Sequence, residues 1–240
     1  MRHIGKTELH RARITIHTNC TCLIALVASC AVLGSLPARA TEPATVTFSL
    51  SFPGSDPESY SISVQSDGHA KYESSGKVSS DSDDSENYAT DFTISNATRA
   101  SIFDLAAQAR YFSGKIDSGN HKLAFTGAKK LTYTDGQRTS TADYNFSSLP
   151  AVQQITALFQ AIGATLEFGR RLAYFHRYQK LALDDELKRM EEEARAGDLS
   201  ELAAVKPVLQ EIYDDSSVIN VVRARALRIM EMGSNGAGGR

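Results

Sequence analysis

Apolar and polar positions alternate through the first part of the chain beyond residue 44. Val46, Phe48, Leu50 and Phe52 are separated by Thr47, Ser49 and Ser51, and Pro53-Gly54 ends the run. Successive side chains of a strand point to opposite faces, so this spacing predicts a strand with one buried side. Tyr60, Ile62 and Val64 repeat the pattern, followed by Asp67-Gly68 and a further stretch carrying Ala70 and Tyr72. Asp-Gly between two such runs predicts a hairpin, because both turn residues tolerate positive φ. Leu131 and Tyr133, then Asp135-Gly136, then Thr139, Thr141 and Asp143-Tyr144 form a second copy. Between the hairpins, Ser95-Asn96 offers a cap for a helix whose Ile102, Leu105, Ala106 and Ala109 share one face. Strands, helix, strands in that order predict an antiparallel sheet with a helix across one face.

The spacing then changes to threes and fours. Ser148-Leu149-Pro150 predicts a helix start with Ser as cap and Pro in the first turn. Val152, Ile155, Phe159, Ile162 and Leu166 share a face that closes the sheet's core, and the pattern continues through Phe168, Leu172, Phe175, Leu183, Leu187 and Met190. Unbroken from Ala151 to Ala196, the helix would run about 69 Å, which predicts a bend near Gly163 or Gly169, or a projecting arm. Asp198 with Glu201 reads as a capping box for another helix, kinked by Pro207, and Ser216 as the cap of a last one carrying Val218, Val221, Val222 and Leu227. Serine supports the division: twenty of the hundred residues from Ser49 to Ser148 are serine against four from Leu149 to Arg240, so a β-rich block precedes a helical one. The expected architecture is α+β, a small antiparallel sheet with a helix packed on one face followed by a C-terminal helical hairpin or bundle. Its parts are residues 41–162, 163–232 and a glycine-rich flexible tail, 233–240.

Residues 1–40 read as a leader. Arg2, Lys6, Arg11 and Arg13 precede an uncharged apolar run from Cys20 to Leu36, and Ala38-Arg39-Ala40 offers small residues to a signal peptidase. The run is seventeen residues, short for a bilayer span. Val27-Ala28-Ser29-Cys30 resembles a lipobox, which leaves lipidation at Cys30 as the alternative to cleavage after Ala40. Cleavage would change the chemistry open to the chain. Cys20, Cys22 and Cys30 all leave with the leader, so disulfides, thiol nucleophiles and cysteine metal sites are excluded from the processed protein. Lys and Arg fall from 26 to 21 and Asp and Glu from 28 to 27, a net charge of −6. A negative chain without a basic cluster argues against nucleic acid and anionic membrane as partners.

Candidate chemistry is sparse. Asp81, Asp83, Asp84 and Glu86 have the alternation of a calcium loop, but Glu86 stands where that loop needs glycine and Phe92 where it needs a bidentate glutamate, so a solvated loop is expected. His69, His121 and His176 lack metal-ligand spacing; His69 is expected in water after a turn, His121 in a loop and His176 packed among aromatics. No G-x-S-x-G, G-x-x-x-x-G-K-[ST] or G-x-G-x-x-G occurs. Asp184-Asp185 and Asp214-Asp215 are expected at helix surfaces or ends. Tyr60, Tyr72, Tyr88, Tyr111, Tyr133 and Tyr144 fit either a binding surface or half-buried strand positions. Arg170-Arg171 and Glu191-Glu192-Glu193 bracket an amphipathic stretch whose apolar stripe must be covered, by the chain's own later helices or by a partner or second copy across residues 168–194.

Three stretches carry a resemblance: Tyr60-Ser-Ile-Ser-Val-Gln-Ser-Asp-Gly-His-Ala-Lys-Tyr72, the helix end Ala109-Arg-Tyr-Phe112, and Leu131-Thr-Tyr-Thr-Asp-Gly136. Together they resemble a family of secreted bacterial domains of unknown function that share the order hairpin, helix, hairpin, helix, over about Thr45 to Ile162. The resemblance implies export and no particular activity. The expectation is therefore an exported, periplasmic or extracellular, non-catalytic binding or interaction module, with no catalytic, cofactor or metal residues assigned. Two other readings stay open: a metal-independent hydrolase with its site between sheet and helical arm, and an envelope structural protein dimerising through that arm.

Overall fold

In the structure, a computed structural model, residues 42–79, 85–120 and 122–236 are described. Asp81, Asp83, Asp84, His121, residues 237–240 of the expected tail and the leader, with Cys30 and Ala40, lie outside them; residues 233–236, expected in the flexible tail, instead continue the last helix, Asn220–Gly236. Six strands, β1 (Thr45–Ser51), β2 (Ser59–Gln65), β3 (His69–Gly76), β4 (Glu86–Thr93), β5 (Ala128–Thr134) and β6 (Thr139–Tyr144), form one antiparallel sheet in the order β4-β3-β2-β1-β5-β6. The first four are a meander. Helix α1 (Asn96–Gln108) then carries the chain back so that β5 pairs with β1, placing Phe48 between Ile62 and Leu131.

Both expected hairpins form. Asp67 Oδ1 accepts the His69 N–H at 3.0 Å while Gly68 takes φ 101°, and Asp135 Oδ1 accepts from Gln137 and Arg138 with Gly136 at φ 77°. Alternation gives the sheet two unlike faces. Val46, Phe48, Ile62, Val64, Tyr72 and Leu131 lie on the inner face with no exposed surface, whereas the outer face is mostly Ser and Thr. Phe52, expected to continue the inward set, falls after β1 ends and is 39 % exposed.

Four more helices follow: α2 (Pro150–Tyr178), α3 (Leu183–Ala196), α4 (Lys206–Asp214) and α5 (Asn220–Gly236). α2 packs its first half on the sheet, with the Phe159 ring stacked on Phe48 at 5.5 Å and 8°. It is one uninterrupted helix across both glycines. Neither makes a bend; each admits a neighbour. A Cβ on Gly163 would stand 3.0 Å from the Tyr60 ring, and one on Gly169 2.5 Å from Val205 Cγ1. The long helical run breaks instead at a 3₁₀ turn, Lys180–Ala182. Beyond it α3, α4 and α5 cover the second half of α2. Phe168, Leu172, Phe175, Leu183, Leu187 and Met190 are all buried in the same core as the sheet residues, so α2 crosses residues 162–163 without a change of core. The stripe of residues 168–194 is thus covered by the chain's own helices, and Tyr178 and Leu181 are the large apolar side chains left exposed there.

Three expected caps are replaced. Ser95 caps α1 as its sequence suggests, accepting the Thr98 N–H. Ser148 does not cap α2: Leu149 holds the cap position, and Ser147 bridges Ile116 O and Leu149 N–H. Glu201 closes no box with Asp198. It takes a left-handed conformation, φ 60°, and turns its carboxylate to the N–H and hydroxyl of Ser95, at 2.9 and 2.7 Å. Pro207 starts α4 rather than kinking it, because proline needs no N–H partner in a first turn. Ser216 lies four residues before α5 begins at Asn220.

Candidate functional site

A cleft of about 530 Å³ lies between the β1–β2 loop and the helices α2 and α3. Leu50, Tyr60, Gly163, Ala164 and Phe168 supply its apolar wall, and Asp56, Glu167, Arg171, Arg189 and Glu193 its charges. Local sequence explains how the walls meet. Gly76 lets the loop settle, since a Cβ there would stand 2.8 Å from Pro57 Cα, and Gly163 lets the Tyr60 ring lie on the helix. Phe52, in the cleft wall, packs edge to face on Phe125 outside it, 5.9 Å apart, and both remain well exposed.

The floor is a buried polar cluster. Glu167 and Arg170 are each 4 % exposed, one turn apart on α2. Glu167 Oε1 accepts from the Tyr72 hydroxyl and from Ser74 Oγ, each at 2.6 Å, and its Oε2 lies 3.5 Å from Arg170. Arg170 donates to Gly76 O and Glu86 O and stands over the Tyr88 ring. Such a pair endures only when its buried polar atoms find partners, and among the described residues no buried side-chain nitrogen or oxygen is left without one. Burial pushes the Tyr60 and Tyr72 phenols up, reinforced at Tyr60 by Tyr144 and Glu167 and at Tyr72 by Glu167. Both stay neutral at physiological pH, so Tyr60 meets the cleft as a neutral phenol and not as a base. Asp56, exposed on its solvent side, has its carboxyl raised by crowding on the other side and then by the Glu167 charge, against lowering by Arg171 and Arg170. Phe168 forms a platform between two guanidinium groups, Arg171 at 4.8 Å and Arg189 at 5.2 Å, both held by Glu186.

Other sequence candidates fall elsewhere. His69 is exposed beside its turn. His176 is half-buried, and its Nε2 lies 2.9 Å from Asp215 Oδ2. Asp215 also accepts from Lys180 at 2.6 Å and from Ser217 Oγ at 2.7 Å. Serine, histidine and aspartate meet there, but both partners converge on the aspartate and no hydrogen bond joins Ser217 to His176, so the serine lacks the base that activates a nucleophile. Asp214 accepts from Gln210, Asp184 from Arg225, and Asp185 sits in the first turn of α3. Glu191, at the end of the amphipathic stretch, is buried and held by Arg195, Arg225 and Arg228. Tyr60, Tyr72, Tyr133 and Tyr144 line the inner face, and Phe48, Tyr60, Tyr72 and Tyr88 form a row across β1 to β4. They are half-buried or buried strand positions and no outward binding surface. Among the described residues no three His, Cys, Asp or Glu side chains converge as a metal site requires, and no helix is long and apolar enough to cross a membrane.

Sequence reasoning missed Glu167, Arg170 and Asp56. A signal existed for the first two: opposite charges three apart, flanked by Leu166, Phe168 and Leu172 on a face that must be buried. No protein-family model matches the chain, and no curated protein does.

Proposed function

We propose that the protein is exported, freed of its leader after Ala40, and acts as a non-catalytic binding module through the cleft between the β1–β2 loop and α2–α3. The observation that carries this reading is the exposed Phe52 in the wall of a cleft whose guanidinium groups are already paired. Paired charges leave little net field, which suits a neutral polar ligand with one apolar side for the Phe52, Leu50 and Tyr60 wall. The observed order hairpin, helix, hairpin, helix supports kinship with the secreted bacterial domains noted above.

Residues 41–240, immobilised and exposed to an envelope extract, should retain a component identifiable by mass spectrometry. Ala164→Trp, which fills the cleft from a half-buried position, should lose it. Equal retention by both proteins removes the cleft from the reading. N-terminal sequencing of the cell-derived protein tests export: Thr41 as first residue supports it, and Met1 overturns it.

One observation favours hydrolysis as a second reading. Asp56 and Glu167 line the same cleft, and Asp56 holds its proton to higher pH than an ordinary carboxyl, as a general acid must. Turnover of any envelope-derived ester or glycoside that Asp56→Asn abolishes would replace the binding reading.

A further inference from the structure

The sheet ends at β4 in an edge built to accept another strand. Ser75 turns its carbonyl to β2, where it accepts the Glu58 N–H at 2.9 Å, and Ile94 donates to Gly68 O at 3.1 Å. N–H and C=O of one strand residue point the same way, so Glu86, Tyr88, Thr90 and Phe92 bond inward to β3. Asn87, Ala89, Asp91 and Thr93 hold theirs outward. Among the described residues the only hydrogen bond to these outward groups is a long one, Thr90 Oγ1 to Asp91 O at 3.5 Å. Edge strands are ordinarily guarded by lysine, proline or a bulge. β4 has none of these over eight residues and pairs with β3 in unbroken register. The opposite edge, β6, is six residues long, and the next outward residue beyond it, Asn145, gives its N–H to Asp117 at 2.9 Å.

We infer that β4 pairs with β4 of a second copy, antiparallel about a two-fold axis through Thr90, joining two sheets edge to edge. Self-complementarity selects the second copy and this register. Outward residues must face outward residues, so the axis passes through a residue. Centred on Asp91, the pairing sets that carboxylate against itself. Centred on Ala89, it sets Phe92 across from the charged Glu86. Centred on Thr90, it overlaps the whole strand, faces Asp91 with Ala89 of the partner subunit and Asn87 with Thr93 of the partner subunit, and joins half-buried Tyr88 to Phe92 of the partner subunit on the inner side. Asp91 lies across from Lys71 of β3, whose ammonium is held by Glu73 at 2.6 Å, so its carboxylate is free to meet a cation of the partner subunit. Roughly eight backbone bonds would form. One strand pair covers less than the ~800 Å² per partner of stable complexes, so the association is reversible and concentration-dependent.

Sedimentation of residues 41–240, which contain the entire core described above, tests the association, and two substitutions test the register. Ala89 is exposed on the outer face, where its one facing charge within the monomer is Glu73 of β3. Ala89→Lys, placed across from Asp91 of the partner subunit, should lower the dimer dissociation constant about three- to tenfold, and Ala89→Glu should raise it similarly. Thr90→Cys should form an interchain disulfide under mild oxidation, because the central non-hydrogen-bonded pair brings Cα atoms to about 4.5 Å. The chain beyond the leader holds no other cysteine to confuse that result. A monomer at every attainable concentration overturns the proposal, as does equal behaviour of the Lys and Glu variants. Cross-linking of Ala89→Cys as complete as that of Thr90→Cys overturns the register.

Discussion

Glu167 accepts the Tyr72 hydroxyl at 2.6 Å across 95 positions of sequence, fastening the middle of α2 to the centre of the sheet. The same carboxylate takes Ser74 and faces Arg170, so one buried charge organises the floor of the cleft. Removing it while Arg170 remains leaves a guanidinium stranded in a dry interior. Glu167→Ala should therefore cost about 3–5 kcal/mol of unfolding free energy in urea. Tyr72→Phe, which removes one donor and no charge, should cost about 1–3 kcal/mol. In the double variant the two losses should fall short of additive, because they share a bond. Additive losses would mean that Tyr72 and Glu167 contribute independently.

The two glycines of α2 give a second prediction. Gly169 lies against Val205, and a methyl group there would meet Cγ1 at 2.5 Å, a clash that backbone or side chain must relieve. Gly169→Ala should lower stability by about 1–3 kcal/mol through overpacking, despite the better helix propensity of alanine. Val205→Ala in the same chain should recover most of the loss. A Gly169→Ala variant as stable as the parent would show that α2 and the Leu202–Val205 turn pack more loosely than described.

These contacts mark what the sequence disclosed and what it withheld. Alternation located β1, β2, β3, β5 and β6 and both hairpin turns, because a half-buried strand writes its period directly into the residues. β4 carried a weaker mark: Tyr88, Thr90 and Phe92 alternate with exposed residues but are only half-buried, and one of the three is polar. Gly163 and Gly169 were legible as special but not in kind, since a glycine for a bend and one for close approach look alike in one dimension. Glu201 was misassigned for a similar reason. Its spacing from Asp198 matched a local box, while its partner Ser95 lies 106 residues away. Of the cleft, Leu50, Tyr60, Gly163, Phe168 and Arg171 were named beforehand, but none as part of a shared site. Asp56 and Glu167 acquire meaning from the fold that brings a loop and a helix together, and no local spacing encodes that meeting.

Asp215 links stability to pH. Its carboxyl lies well below the ordinary value of 3.8, first because Lys180 donates to it, then through the Ser217 hydroxyl and N–H and through His176. A carboxyl whose pKa falls on folding contributes stability above its unfolded value and loses that contribution as pH drops through the folded one. Asp215→Asn should therefore be less stable than the parent at neutral pH, the gap narrowing as pH falls below about 4. Thermal melts of both proteins between neutral and acid pH check this. A gap independent of pH would show that the tether between α2 and the α4–α5 loop rests on geometry rather than charge.

Strain at the end of α1 supports the last prediction. Arg110, Tyr111 and Phe112 take φ of 52°, 54° and 62°, three successive non-glycine residues in the left-handed region. Each costs on the order of 1–2 kcal/mol relative to the right-handed form. Two have evident compensation. Phe112 is fully buried, and the Tyr111 ring lies 4.5 Å from Tyr133 and beneath the Arg138 guanidinium. Arg110 has none: its side chain is exposed, and its bond to Ser113 uses the backbone carbonyl, which any residue supplies. Arg110→Gly should therefore raise stability by about 0.5–1.5 kcal/mol, the relieved strain outweighing the greater freedom of glycine in the unfolded chain. Arg110→Ala keeps the Cβ and should bring no such gain. Tyr111→Gly relieves similar strain but loses both ring contacts, and should destabilise. Urea midpoints of the three variants separate the cases, and a loss of stability in Arg110→Gly would mean that the arginine side chain holds the turn after all.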